Sequence, residues 1–258
     1  MKNLLIAVIV IFSCSFSCFY INNQEVEASK NYVTRVVETD HFNAISLSGS
    51  LNVVYTQTDD EVHVEVYGSD NIVDLLDVYT KNGSLIVGFK KNVQVYNGKE
   101  VEVRVFAPSL DKMKITGSGD IIIASGLKTD GDLFLSVTGS GDVTGSDIRC
   151  AQLSLSVTGS GDIELNDVEV ENTQAHVTGS GDINLSGTTQ RADYSVSGSG
   201  DIDAVRLEAD QVSANTTGSG DISCYAVSFL TARRVGSGSI FYKGDPEIDT
   251  SQKGIHKL

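Results

Sequence analysis

The chain has 258 residues, of which 40% are hydrophobic and 21% charged, a globular composition long enough to bury a substantial core without disulfides or metals. Its 19 Lys and Arg stand against 34 Asp and Glu, a formal charge of −15, which opposes any grip on nucleic-acid phosphates and excludes DNA or RNA as a partner. The 25 Gly, 2 Pro and absence of Trp need a structural reason.

Lys2 precedes nine uninterrupted apolar residues at positions 4–12, the pattern of a secretory leader. Val26-Glu27-Ala28 supplies permissive −3 and −1 positions, so residues 1–28 read as a signal peptide and the mature chain starts near Ser29. Cleavage there leaves 18 basic and 32 acidic residues. The alternative is a lipidated amino terminus at Cys14 or Cys18, each of which follows a serine at the end of the apolar run. Either reading implies export to the periplasm, outer-membrane surface or medium, with membrane contact only through the leader or a lipid anchor. Cys150 and Cys224 remain in the mature chain, so at most one disulfide can form.

Residues 29–115 are strand-rich and irregular. Period-two alternation runs over residues 45–55, 62–67, 85–89 and 101–106, interrupted by turn signals at Ser69-Asp70-Asn71, Asn82-Gly83, Asn97-Gly98 and Ala107-Pro108-Ser109. Residues 71–77 are the best place for a short helical turn. The remainder is expected to continue the following β-structure in longer, less regular rungs.

Residues 116–245 are organised by a repeat. Gly-Ser-Gly-Asp ends at Asp120, Asp142, Asp162, Asp182, Asp201 and Asp221, with a degenerate copy ending at Ser239, at spacings of 22, 20, 20, 19, 20 and 18 residues. Alternating apolar residues flank each copy: Leu153, Leu155 and Val157 before one, Ile163 and Leu165 after it. A further inward position is expected at Leu127, Ile148, Val168, Thr188, Leu207 and Val227. One such rung cannot bury its own apolar row, whereas stacked rungs form a continuous core. The prediction is an all-β parallel solenoid with rungs of roughly 20 residues, about 4.8 Å apart and roughly 30 Å long in all. Both tetrapeptide glycines are attributed to positive φ at a sharp corner. Arg233 and Arg234 interrupt the alternation and mark a terminal rung with a charged edge. Residues 246–258 are left as a tail.

Arg35-Val36, Phe42, Ile45, the run Asn82-Gly83-Ser84-Leu85-Ile86-Val87, Ala107-Pro108-Ser109-Leu110 and the Gly-Ser-Gly-Asp-Ile repeats together resemble the putative autotransporter adhesin family called the head GIN domain. The resemblance spans essentially the whole mature chain. It implies a right-handed parallel β-helix similar to the pectin-lyase architecture, a cell envelope of the Bacteroidetes type, and adhesion to a glycan or surface protein.

Two lines of side chains are the candidate binding residues. Asp120, Asp142, Asp162, Asp182, Asp201 and Asp221 should stack along one corner, where neighbouring charges about 4.8 Å apart repel by roughly 0.9 kcal/mol even in water. They are read as acceptors for backbone amides within their own turns; a row of cation sites or a glycan-binding face is the alternative. No cofactor is expected. Calcium is the one alternative, and it lacks the nine-residue repeat that successive-turn calcium ligands use. Thr138, Thr158, Thr178 and Thr217 form an outward line, either as a solvated strand face or as a regular surface for polymer recognition.

Catalysis has little to draw on. His41, His63, His176 and His256 are scattered, and a six-fold repeated serine is structural, because an active site needs one copy. The rival function is a polysaccharide-acting enzyme, for which Glu164, Asp167, Glu169 and Glu171 are the carboxylates to examine. A purely structural envelope protein is the third reading. Residues 117–240 carry 17 acidic and 6 basic side chains, a surface that repels uronate polymers.

Overall fold

The computed structural model describes residues 24–96, 101–250 and 253–258; residues 4–12, Cys14, Cys18 and the Asn97-Gly98 turn lie outside them. The strands are β1 Gln24–Glu27, β2 Tyr32–Val37, β3 Ala44–Gly49, β4 Asn52–Gln57, β5 His63–Ser69, β6 Leu76–Lys81, β7 Ser84–Phe89, β8 Val93–Tyr96, β9 Glu102–Ala107, β10 Lys112–Gly117, β11 Ile121–Ile123, β12 Leu127–Lys128, β13 Asp132–Gly139, β14 Val143–Gly159, β15 Ile163–Gly179, β16 Ile183–Gly198, β17 Ile202–Gly218, β18 Ile222–Gly236, β19 Ile240–Lys243, β20 Glu247–Asp249 and β21 Ile255–Lys257. One helical turn, α1 Asp70–Val73, sits where a short turn was expected.

From β10 onward the strands pair in parallel, each with the strand one rung away. The chain is a β-solenoid with about 20 residues per turn, and its core is a set of inward columns. One column runs Ile121, Val143, Ile163, Ile183, Ile202, Ile222, Ile240, every member buried. Another runs Met113, Leu135, Leu155, Ala175, Tyr194, Ala214, Ala232. In that second column the largest side chain lies between two alanines, so one rung fills the volume its neighbours leave.

The compositional boundary near residue 115 falls inside β10, which pairs with β13 on one side and β3 on the other. The regular stack therefore reaches back through β3 and β4. On their far side β7 and β9 add one more parallel layer, and beyond it the architecture departs from the expected irregular rungs: β5 pairs antiparallel with β9 and with β2, and β6 antiparallel with β7. This cap turns the sheet's direction at the amino-terminal end, where a further parallel rung would have presented a bare edge.

Three other expectations are corrected. Thr188 and Val227 point outward. Their rungs advance by 19 and 18 residues instead of 20, and the shortening falls between the aspartate and the next corner. Gly187 consequently occupies the place opposite Val168, and Ala226 the place opposite Ala209. The second correction concerns the glycines. Gly159 has φ +127°, but Gly161 does not need positive φ; a Cβ there would stand 2.0 Å from the carbonyl oxygen of Gly141 in the preceding rung. One glycine serves the turn and the other the close approach of two backbones. Thirdly, the degenerate copy is not the last rung, because β20 pairs with β18 and β21 with β19. Arg234 replaces an inward residue at the end of the stack, opposite Thr216. It donates to the carbonyls of Gly236 and Lys253 at 2.6 and 3.1 Å, tying the final half-rung across the core's open end.

Among the described residues Cys150 and Cys224 are free, and both are buried. They belong to different columns, Cys150 opposite Val170 and Cys224 opposite Ala204. Burial pushes the Cys150 thiol up to about 11 and the Cys224 thiol up to about 12. Both shifts favour the neutral thiol in the fold, so their contribution to stability is full below about pH 9, the unfolded value, and declines as pH rises towards 11 and 12. Both should resist alkylation at pH 8 in native buffer and react fully in denaturant; a thiol titration with and without guanidinium checks this.

Candidate functional site

At each corner the backbone leaves one donor without a carbonyl. Gly139 O accepts from both Ser160 N and Gly161 N, at 2.8 and 3.1 Å, and Ile163 N turns to Asp182 O in the next rung at 3.0 Å. The amide of Asp162 would then be an orphan, and the side chain of Asp142 satisfies it: Asp162 N donates to Asp142 Oδ1 at 2.8 Å. The same bond recurs from Asp142 N to Asp120 (3.0 Å), Asp182 N to Asp162 (2.7 Å), Asp201 N to Asp182 (2.8 Å) and Asp221 N to Asp201 (2.7 Å). The acceptors therefore serve the following rung's turn, contrary to the expectation of bonds within their own. Parallel stacking is the reason, since it brings each corner one strand spacing from the next. The neighbouring carboxylates are held together by these amides, whose dipoles offset part of their repulsion.

The ladder has ends the repeat search missed. Asp120 N donates to Asn52 Oδ1 at 3.1 Å, and Ser239 N to Asp221 Oδ1 at 2.6 Å. Gly49-Ser50-Leu51-Asn52 is thus an earlier copy of the corner, in register with the first full one through Gly117 opposite Gly49. The legible signal was Leu47-Ser48-Gly49-Ser50, which has the spacing of Val157-Thr158-Gly159-Ser160. Because Asn52 already performs the aspartate's part, Asp162→Asn should change stability by less than about 0.5 kcal/mol, whereas Asp162→Ala should cost roughly 1.5 kcal/mol. Millimolar calcium should leave the melting temperature of the parent chain unchanged. Among the described residues no group of three or more His, Cys, Asp or Glu side chains is arranged to hold a metal ion.

The structure aligns the hydroxyl residues as a separate column. Thr116, Thr138, Thr158, Thr178, Ser197 and Thr217 are register partners, and all six are exposed. Beside them run Ser136, Ser156, His176, Ser195 and Asn215, also in register and at least partly exposed. The result is a flat face of short polar side chains repeating at the strand spacing of about 4.8 Å. Thr216, beside it in sequence, points inward and gives its hydroxyl to Gly220 O at 2.7 Å.

The acidic residues divide between separate places. Glu164 lies on the strand face after the ladder, accepting from Asn166 Nδ2 at 3.2 Å. Asp167 occupies a positive-φ corner position. Glu169 and Glu171 line two adjoining shallow depressions of about 320 and 390 Å³ over Cys150. Arg149 sits 2.8 Å from Glu169 and 3.1 Å from Asp147, and Lys128 2.8 Å from Asp147. The two cations hold the Asp147 carboxyl below the usual carboxylate range, chiefly through hydrogen bonds from Lys128 and then Arg149.

A family model described as "Putative auto-transporter adhesin, head GIN domain" matches residues 41–246. The chain belongs to this family. Solved structures similar to this head GIN-domain protein include one from Parabacteroides distasonis described as a putative lipid binding protein, 29% identical with a TM-score of 0.85, over 91% of this chain and 100% of that one. A putative adhesin from Parabacteroides merdae is 26% identical with a TM-score of 0.84, over 91% of this chain and 99% of that one. Another from Bacteroides fragilis is 31% identical with a TM-score of 0.66, over 90% and 95% respectively. No curated protein matches the chain. Among the described residues no helix is long and apolar enough to cross a membrane.

Proposed function

We propose that this head GIN-domain protein is an exported, non-enzymatic interaction module of the cell envelope, an adhesin that presents the threonine and serine columns to a glycan or a surface protein. The observation that carries this reading is the in-register hydroxyl face, six exposed residues deep. Hydroxyls that both donate and accept, on a backbone fixed by two neighbouring rungs, suit a repeating polar polymer, because little side-chain freedom is lost on contact. The adhesin description of the family and that of a similar solved structure support the same reading, as does the leader-like amino terminus. The aspartates take the structural part, their Oδ1 atoms being engaged by the next rung. Against the polysaccharide-acting enzyme stands the dispersal of Glu164, Asp167 and Glu169 over different parts of the rung, with Glu169 paired to Arg149.

A glycan array probed with the mature protein tests the reading. Binding should be abolished by the double substitution Thr158→Arg and Thr178→Arg and retained by Thr188→Arg, an exposed position away from the hydroxyl column. Binding insensitive to the double substitution would sink it. Loss on Glu169→Gln with Glu171→Gln, together with polymer cleavage, would establish the enzyme instead.

A further inference from the structure

We infer that the export leader is cut upstream of Gln24, so that Gln24–Glu27 stays on the mature protein as a structural strand. This strand, β1, pairs in parallel with β8 over four residues, from Gln24 opposite Val93 to Glu27 opposite Tyr96. Its inward residues are part of the fold, since Val26 and Ala28 pack against the hydrophobic core alongside Val95. The connection that follows is fastened at several points. Asn71 Nδ2 donates to Glu27 O at 2.9 Å, Ser29 N donates to Asn71 Oδ1 at 3.0 Å, and Ser69 Oγ donates to Ser29 O at 2.8 Å. Cleavage after Ala28 would remove β8's only partner among the described strands, uncover Val95 and leave Asn71 Nδ2 without its acceptor.

The motif that suggested cleavage after Ala28 has a second explanation in the same residues. Small or branched apolar side chains at −3 and −1 lie two positions apart, and so do the inward residues of a strand. Glu25 and Glu27 are exposed while Val26 and Ala28 are partly buried, which is strand alternation. The solved relatives provide an independent indication. A match covering 91% of 258 residues takes in about 235, more than the 230 that lie from Ser29 to Leu258, so folded relatives contain residues equivalent to some of those ahead of Ser29.

Cuts before Cys14 and before Cys18 both agree with these observations, leaving ten and six residues ahead of Gln24 respectively. Two measurements test the inference. The first is the mass and amino-terminal peptide of the protein matured from its full-length precursor in an exporting bacterial host. A first residue at or before Gln24 is the expected result, and a first residue anywhere after Gln24 overturns it. The second compares thermal melting of two purified chains, one starting at residue 18 with Cys18→Ser and one starting at Ser29. The shorter chain should melt at least about 3 °C lower; equal melting overturns the structural role of β1. Neither readout depends on any ligand, so failure of the adhesin proposal would leave this inference standing, and the reverse.

Discussion

Gly161→Ala should lower the melting temperature by roughly 10 °C, corresponding to about 3 kcal/mol or more, whereas Gly131→Ala should leave it almost unchanged. A methyl at position 161 would stand 2.0 Å from Gly141 O, 3.0 Å from Gly141 C and 2.9 Å from Val137 Cγ1. The first two are backbone atoms already held in the rung ladder, so relief would require prising two rungs apart. At Gly131 the nearest atom to such a methyl is the Thr129 hydroxyl, 3.8 Å away. The comparison isolates close approach from chain stiffening, because both substitutions reduce unfolded-state freedom alike. Equal melting temperatures for the two variants, measured by circular dichroism, would show that the rungs are not packed backbone against backbone at this corner.

Tyr194 should respond in opposite directions to two substitutions. Its side chain is fully buried between Ala175 and Ala214 on the same inward column, and its hydroxyl has no hydrogen-bond partner among the described residues. Burial, with a smaller contribution from Cys224, raises the phenol well above its ordinary range. Tyr194→Phe removes the unpaired hydroxyl while keeping the ring, and should stabilise the chain by about 1 kcal/mol. Tyr194→Ala would put four alanines in succession on the column and open a cavity, at a cost of roughly 3–5 kcal/mol. Chemical denaturation of the three proteins decides the matter, since a destabilised Phe variant would mean that the hydroxyl does have a partner.

The solenoid itself was legible in the residues because its physical cause is periodic. A fixed tetrapeptide at intervals near 20, flanked by alternation, can satisfy its apolar rows only by stacking, and Ile163 and Ile183 are buried on one column as the period requires. The exposed places of Thr138, Thr158, Thr178 and Thr217 follow from the same alternation. What the alternation could not show was partnership between rungs. That Asp142 serves Asp162, that Asn52 begins the ladder, and that Gly161 is small for the sake of Gly141 depend on groups about twenty residues or more apart brought within contact by the fold. The shortened rungs misled the inward assignment of Thr188 and Val227, because an odd number of residues is dropped just ahead of each, one between Leu185 and Gly187 and three between Cys224 and Tyr225 relative to the preceding rung, which flips a period-two pattern while the neighbouring rung still dictates which residue it must face. The antiparallel cap was hidden for a related reason. An alternating strand has the same pattern whether its neighbour runs parallel or antiparallel, and only the tertiary structure chooses between them, here by closing the end of a stack that the repeat alone would leave open.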